Sequence, residues 1–268
     1  MQPASPIAEG RTAEIFAWSE GQVLKLFRPG WEPEVAAHEA AIARTLDATG
    51  VPVPRVGDLT EVDGRPGIVY ERVTGPSLLT ILSSQPLRLP AVARTLGEVH
   101  ASVHQHTVPM LPNLREVLAR RIQAVTLLPP AQQRAALDSL EALPDGEALC
   151  HGDYHPDNVL LSPRGPLVID WGNAALGDPL ADVARTLLLM RASFVYPKSR
   201  AERIARRALT ATLNRLYLRR YRQLRPIDRA RLTAWELPIT AARLIEDIAE
   251  EESYLRARVW QLTATSRA

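Results

Sequence analysis

The sequence predicts an α+β chain: a small antiparallel, β-rich N-terminal lobe with one helix, then a larger, mostly helical C-terminal lobe. Three observations predict it. Short β-prone runs with turn signals fill positions 1–74, and helical periodicity dominates 75–268. Between two short apolar runs of the second part lies one dense polar segment, His151 to Asn158.

The elements follow in order. Ile15 to Trp18 and Gln22 to Phe27 are strands joined by Ser19-Glu20-Gly21, a hairpin signal. Arg28-Pro29-Gly30 ends the second strand, and Glu32 to Thr49 carries helical periodicity up to Gly50. Val51-Pro52-Val53-Pro54 is extended, because a residue before proline is pushed out of the helical region. Arg55 to Glu61 and Gly67 to Val73 are further strands around Asp63-Gly64. Gly75-Pro76 marks the hinge between the lobes. Helices are then expected over Pro90 to His106, Asn113 to Leu127 and Ala131 to Leu143. A short apolar run, Glu147 to Cys150, leads into His151, and Asn158 to Leu161 with Pro166 to Ile169 form a small hairpin. Helix resumes at Pro179 and continues through Met190, Ser199 to Leu224, Ile227 to Glu246 and Glu250 to Thr263.

Composition narrows the function classes. The 268 residues suffice for a sizeable core, and 46% hydrophobic with 23% charged residues is ordinary for a globular protein. No apolar run approaches the roughly 18 residues of a membrane span. The segment Met1 to Gly10 lacks the features of a secretory signal, and a single cysteine, Cys150, forms no disulfide framework. A cytoplasmic location is expected, with no membrane partner. A net charge of +2 argues against a nucleic-acid partner. Of 32 Lys+Arg, only Lys25 and Lys198 are lysines. Where arginine is the default cation, a retained lysine suggests a point contact to phosphate.

The segment His151-Gly152-Asp153-Tyr154-His155-Pro156-Asp157-Asn158 cannot be core, since so many buried polar groups would each need a partner. Its H-x-D-x-x-x-x-N spacing is the catalytic-loop pattern of protein kinases, and Ile169-Asp170-Trp171-Gly172 follows an apolar strand as D-F-G does. Phosphoryl transfer needs positioned charge: one carboxylate to accept the acceptor's proton, and oxygen donors to hold Mg²⁺. Asp153 fits the first role, and Asn158 and Asp170 the second. Lys25, in the apolar run Val23 to Phe27, is the candidate for the nucleotide phosphates, braced by Glu39 or, as second choice, Glu34.

Together with Val23-Leu24-Lys25, His38-Glu39-Ala40, Val51 to Val56, Tyr70 to Gly75 and Gly177 to Asp182, these motifs resemble the aminoglycoside phosphotransferase family and its choline, homoserine and fructosamine kinase relatives. The resemblance covers about residues 8 to 190 and rests mainly on the catalytic-loop signature. It implies a bilobal protein-kinase-like fold, residues 1–74 forming the nucleotide-binding lobe and 75–268 the catalytic and substrate lobe. It implies ATP, with GTP as the alternative, and Mg²⁺ as cofactors, and a small hydroxylated molecule as acceptor. It also implies that the backbone of Glu71 and Val73 receives the adenine and that Asp182 braces the catalytic loop. Three departures stand out. Gly152 replaces the arginine of H-R-D, only Gly10 in Glu9-Gly10-Arg11-Thr12 stands in for a glycine-rich loop, and no A-P-E-like segment follows Asp170.

Other readings compete. A nucleotide-binding pseudokinase acting as an interaction module would keep the same motifs. A metal-dependent hydrolase would use His151, Asp153, His155 and Asp157 as ligands, although the remaining histidines, at 38, 100, 104 and 106, all lie upstream. His100, His104 and His106 are expected as cations at a helix C-terminus, with metal binding the alternative. The arginines from Arg203 to Arg231 read as solvated helix faces. The acidic run Glu246, Asp247, Glu250, Glu251 and Glu252 reads as a solvated face or as a wall for an aminated substrate.

Overall fold

The computed structural model describes residues 5–192 and 199–265, so Lys198 lies outside the described residues. The chain divides into two compact units, one containing the residues up to Thr80 together with Asp157–Gly172, the other Ile81–Pro156 and the residues from Asn173 onward.

The first unit is built on β1 (Ala8–Glu9), β2 (Ala13–Ala17), β3 (Gln22–Phe27), β4 (Val56–Val62) and β5 (Arg65–Glu71). They form one antiparallel sheet in the order β1-β2-β3-β5-β4. Both predicted turns are observed. Gly21 has φ 71°, and Asp63 and Gly64 have φ 52° and 72°, the paired positive angles of a tight hairpin. α1 (Pro33–Ala48) starts with Pro33 in its first turn and buries Ala36, Glu39, Ala40, Ala43 and Leu46, a stripe at helical spacing. Strand alternation divides β3 between two faces. Leu24 and Leu26 pack with Phe16 and Val69, whereas Phe27, with Ile68 and Ala13, packs with Ala36 and Ala40 of α1. Lys25 shares the parity of Phe27 and therefore points to the α1 side.

The hairpin β7 (Val159–Ser162) and β8 (Gly165–Val168) belongs to this unit. Leu161 N–H donates to Pro76 O at 3.0 Å, and Val168 N–H to Pro52 O at 2.7 Å. A Cβ on Gly75 would lie 1.7 Å from Leu161 O, so only glycine allows this approach.

The second unit contains α3 (Leu89–Val103), α4 (Leu114–Ala124), α5 (Pro130–Glu141), α6 (Pro179–Ala192), α7 (Arg200–Leu224), α8 (Arg229–Ala234), α9 (Glu236–Arg243) and α10 (Ala249–Thr265). Its core includes Leu118, Ile122, Leu140, Leu180, Trp235, Ile239 and Val259. Asn113 and Asp228 cap α4 and α8, each accepting a main-chain N–H of the first turn. Among the described residues no helix is long and apolar enough to cross a membrane.

The structure differs from expectation in several places. α2 (Leu78–Ser84) follows Ser77, whose hydroxyl accepts the Thr80 N–H at 3.0 Å. The strand β9 (Ala175–Gly177) pairs with β6 (Ala148–Cys150). The predicted helix Ile227 to Glu246 breaks into α8, α9 and a 3₁₀ turn, Leu244–Glu246. Pro238 offers no N–H to the preceding turn and ends a continuous helix there.

Candidate active site

In the first unit, Lys25 reaches Glu39 across the sheet face. Its Nζ donates to Glu39 Oε1 at 2.7 Å and Oε2 at 2.8 Å. The same ammonium donates to Asp170 Oδ1 at 2.9 Å. Glu39 also accepts the Tyr70 hydroxyl at 3.0 Å. Burial works against the Lys25 charge, but Glu39 and then Asp170 outweigh it and raise its pKa. Burial and the Glu39 carboxylate push the Tyr70 phenol far above its usual range. Glu34, the second-choice partner, is exposed, because the helical stripe turns Glu39 inward and Glu34 outward.

The β7–β8 register brings Asn158 and Asp170 to the same end of the hairpin. Val159 pairs with Val168, and Ile169 N–H donates to Asn158 O at 3.0 Å. Asn158 is buried, whereas the Asp170 side chain is 46% exposed, so its carboxylate is open to a ligand. Asp170 has φ 66°, a left-handed conformation rare for a non-glycine residue and typical of functional sites. A carboxylate and an amide oxygen form a hard-oxygen donor set, which suits Mg²⁺. Asp157 accepts the Ser77 hydroxyl at 2.7 Å.

Near the end of β5, Glu71 N–H donates to Arg55 O at 2.9 Å. The Glu71 carboxylate pairs with Arg164. Val73 N–H has no hydrogen-bond acceptor among the described residues.

In the second unit, Asp182 holds the loop that carries Asp153. Its Oδ2 accepts the His151 N–H at 2.6 Å and its Oδ1 the Gly152 N–H at 2.9 Å. His100 Nε2 and His104 Nε2 lie 3.1 and 3.3 Å from Asp182 Oδ2, and their Nδ1 atoms face the hydroxyls of Tyr217 and Tyr221 at 2.7 Å. The expectation of helix-end cations at His100 and His104 is overturned for His100. Both are buried, and burial, then the neighbouring His104, lowers the His100 pKa to about 3. The packing of α3 on α7, which brings in Tyr217 and Tyr221, is invisible in the local sequence. Among the described residues, these two histidines and Asp182 are also the cluster of three whose ligand atoms converge within 4.8 Å.

Contrary to the expectation that this polar segment stays out of the core, His151 is fully buried, because its polar groups find partners: its Nδ1 accepts the Asp153 N–H at 3.1 Å, a loop-fixing role. Asp153 Oδ2 lies 3.7 Å from His155 Nε2, and its Oδ1 lies 3.5 Å from Arg185 Nη2. Burial opposes the Asp153 charge, but the His155 hydrogen bond and the Arg185 guanidinium outweigh it and hold the carboxyl well below its usual range. Asp153 is therefore an anion at neutral pH.

Arg185 escaped the sequence reading, although it sits three positions after Asp182 and so on the same face of α6. Its Nε donates to Gly152 O, and its Nη2 to Glu246 Oε1 at 2.6 Å. Arg243 pairs with both Glu246 and Glu251. Glu246 and Glu251 are thus ion-paired and do not form an open acidic wall.

A strand-rich unit with a lysine bridging two carboxylates, and a helical unit presenting an ionised aspartate on a braced loop, define an α+β protein of protein-kinase-like fold. The model of the phosphotransferase enzyme family, APH, matches residues 3–227, and the chain belongs to that family. It is similar over 97% of its length to a thermostable mutant of aminoglycoside phosphotransferase APH(4)-Ia, with 94% of that chain covered, a TM-score of 0.66 and 21% identity. A ternary complex of that phosphotransferase with AMP-PNP and hygromycin B aligns with a TM-score of 0.65 and 20% identity, covering 95% of this chain and 89% of that one. A choline/ethanolamine kinase family protein from Mesorhizobium loti is 19% identical at a TM-score of 0.58, with 94% and 85% of the two chains covered. In sequence, 179 residues are 27% identical to acyl-CoA dehydrogenase family member 10 of Mus musculus. That match covers 56% of this chain and 16% of the mouse protein.

Proposed function

We propose that the protein is a small-molecule kinase that moves the γ-phosphoryl group of ATP to a hydroxyl of a small polar acceptor. The observation that carries this reading is the Lys25 ammonium held between Glu39 and Asp170, at 2.7 and 2.9 Å. A buried lysine bound to two carboxylates from distant segments is costly unless the arrangement serves the charge of a ligand. The family membership and the AMP-PNP in the APH(4)-Ia complex support a nucleoside triphosphate as that ligand.

We assign the roles as follows. Lys25, braced by Glu39, contacts the α- and β-phosphates, and the Glu71 carbonyl and Val73 N–H face the adenine. Residues 1–74 serve as the nucleotide-binding lobe and 75–268 as the catalytic and substrate lobe. Asn158 and Asp170 hold Mg²⁺, which when bound neutralises phosphate charge. Asp153, ionised, accepts the proton of the acceptor hydroxyl as the acceptor oxygen bonds to the γ-phosphorus. The bond from that phosphorus to the β–γ bridging oxygen breaks, and ADP leaves with the electron pair. The reaction takes place in the cytoplasm, and GTP is the alternative donor.

Thermal-shift titration with ATP and GTP, with and without Mg²⁺, tests the reading. A Mg²⁺-dependent rise in Tm with one nucleotide, absent in Asp170→Ala, is expected. No rise with either nucleotide would overturn it.

A further inference from the structure

Three arginines of the second unit gather around the Asp153 loop, and two of them are already matched by carboxylates. Arg185 holds Glu246 at 2.6 Å, and Arg243 holds Glu246 at 2.5 Å and Glu251 at 2.9 Å. The third, Arg121 on α4, is different. Its Nη2 donates to the neutral amide oxygen of Asn173 at 2.5 Å. Among the described residues no carboxylate lies within ion-pair distance of it. Of five guanidinium N–H donors, one is used.

Arg121 is also close to the reacting carboxylate. The main-chain carbonyl of its partner Asn173 would lie 2.4 Å from a Cβ on Gly152, the residue before Asp153. Burial first, and then the charge of Arg185, disfavour its protonated form, while Glu246 and Asp153 act in the opposite sense. Arg121 is half-buried, so one side of it remains open. A cation partly removed from water and bound only to an amide gains from an incoming anion. The planar guanidinium fork matches a carboxylate or phosphate in two-point contact. The acidic residues that could have drawn an amine to this place, Glu246 and Glu251, are consumed by Arg185 and Arg243.

We propose that Arg121 binds an anionic substituent, carboxylate or phosphate, on the hydroxylated acceptor, so that the substrate is a hydroxy acid or a sugar phosphate and not an aminated cation. This rests on the phosphotransferase reading given above.

The test uses matched acceptor pairs: glycerate and glycerol, gluconate and glucose, glucose 6-phosphate and glucose, homoserine and 3-amino-1-propanol. ADP release with Mg²⁺ and ATP is followed for the wild type, Arg121→Gln and Arg121→Lys. The anionic member of at least one pair is expected to show a kcat/KM at least about tenfold above its partner. The Gln variant raises the KM for that compound about tenfold or more, and Lys restores part of the loss, as expected for a bidentate ion contact. The carboxylate and phosphate arms identify which anion is bound. Preference for the neutral or amino members, or an unchanged KM in Arg121→Gln, overturns the inference. If no pair turns over, the same compounds and inorganic phosphate are titrated by thermal shift. Anion-dependent stabilisation present in the wild type and lost in Arg121→Gln supports the inference, and equal behaviour of the two proteins overturns it. The Mg²⁺-ATP thermal shift of the same samples separates the two failures: if it persists, only the acceptor inference has failed, and if it is absent, the phosphotransferase reading has failed.

Discussion

The ammonium of Lys25 lies 2.9 Å from Oδ1 of Asp170, a residue 145 positions farther along the chain. The same ammonium satisfies both oxygens of the buried Glu39. Lys25→Met therefore removes more than the proposed nucleotide contact, because Glu39 keeps only the Tyr70 hydroxyl among the described residues. Breaking a buried pair from one side costs roughly 3–5 kcal/mol. Urea denaturation should show a loss of that order for Lys25→Met, and the double variant Lys25→Met, Glu39→Leu should recover a large part of it. An unchanged midpoint in the single variant would contradict the pairing.

Gly152 is a steric requirement of the loop. Its φ is 76°, and a Cβ would fall 2.4 Å from Asn173 O. Gly152→Ala combines a left-handed alanine with a main-chain clash, each worth about 1–3 kcal/mol. Gly165→Ala is the control: φ is 111° and nothing lies within 4 Å. Melting curves should fall much further for position 152 than for 165. The same contact gives a physical reason for glycine where H-R-D has arginine.

His100 makes stability depend on pH. Its folded pKa is about 3 against a usual 6.5, so the folded imidazole stays neutral while the unfolded one takes up a proton. The unfolded state then binds more protons between these values, and stability falls as pH drops from about 6.5 toward 3. About 2 kcal/mol is lost at roughly pH 5 from this group. Asp153 and Asp182, both lowered from 3.8, add losses only below that value. Tm measured from pH 8 to 5 should decline, and His100→Asn should flatten the decline. Equal slopes would contradict a neutral buried His100.

Much of this was legible because local rules act alone in the first unit. Asp63-Gly64 and Ser19-Glu20-Gly21 specify their turns, and the parity of β3 places Lys25 beside Phe27 under α1. The spacing from His151 to Asn158 and the later Asp170 marks the candidate phosphoryl-transfer site in the sequence alone. What escaped depends on long-range packing. His100 looks like a helix-end cation until α7 brings Tyr217 against it and buries it. Glu246 and Glu251 of the acidic run look open until Arg185 and Arg243 are found paired with them. Arg121, one of many arginines, has no local feature that singles it out.

The central claim is that Asp153 serves phosphoryl transfer. Wild type and Asp153→Asn are incubated with Mg²⁺, γ-labelled ATP and pooled hydroxylated small molecules, and labelled products are separated. Loss of a general base typically costs about 10²–10⁴ in rate. The wild type should yield a labelled phosphate ester, and the variant at least about 100-fold less, with its nucleotide-induced thermal shift preserved. Equal labelling by both proteins, or no transfer by the wild type to any acceptor, would contradict the assignment.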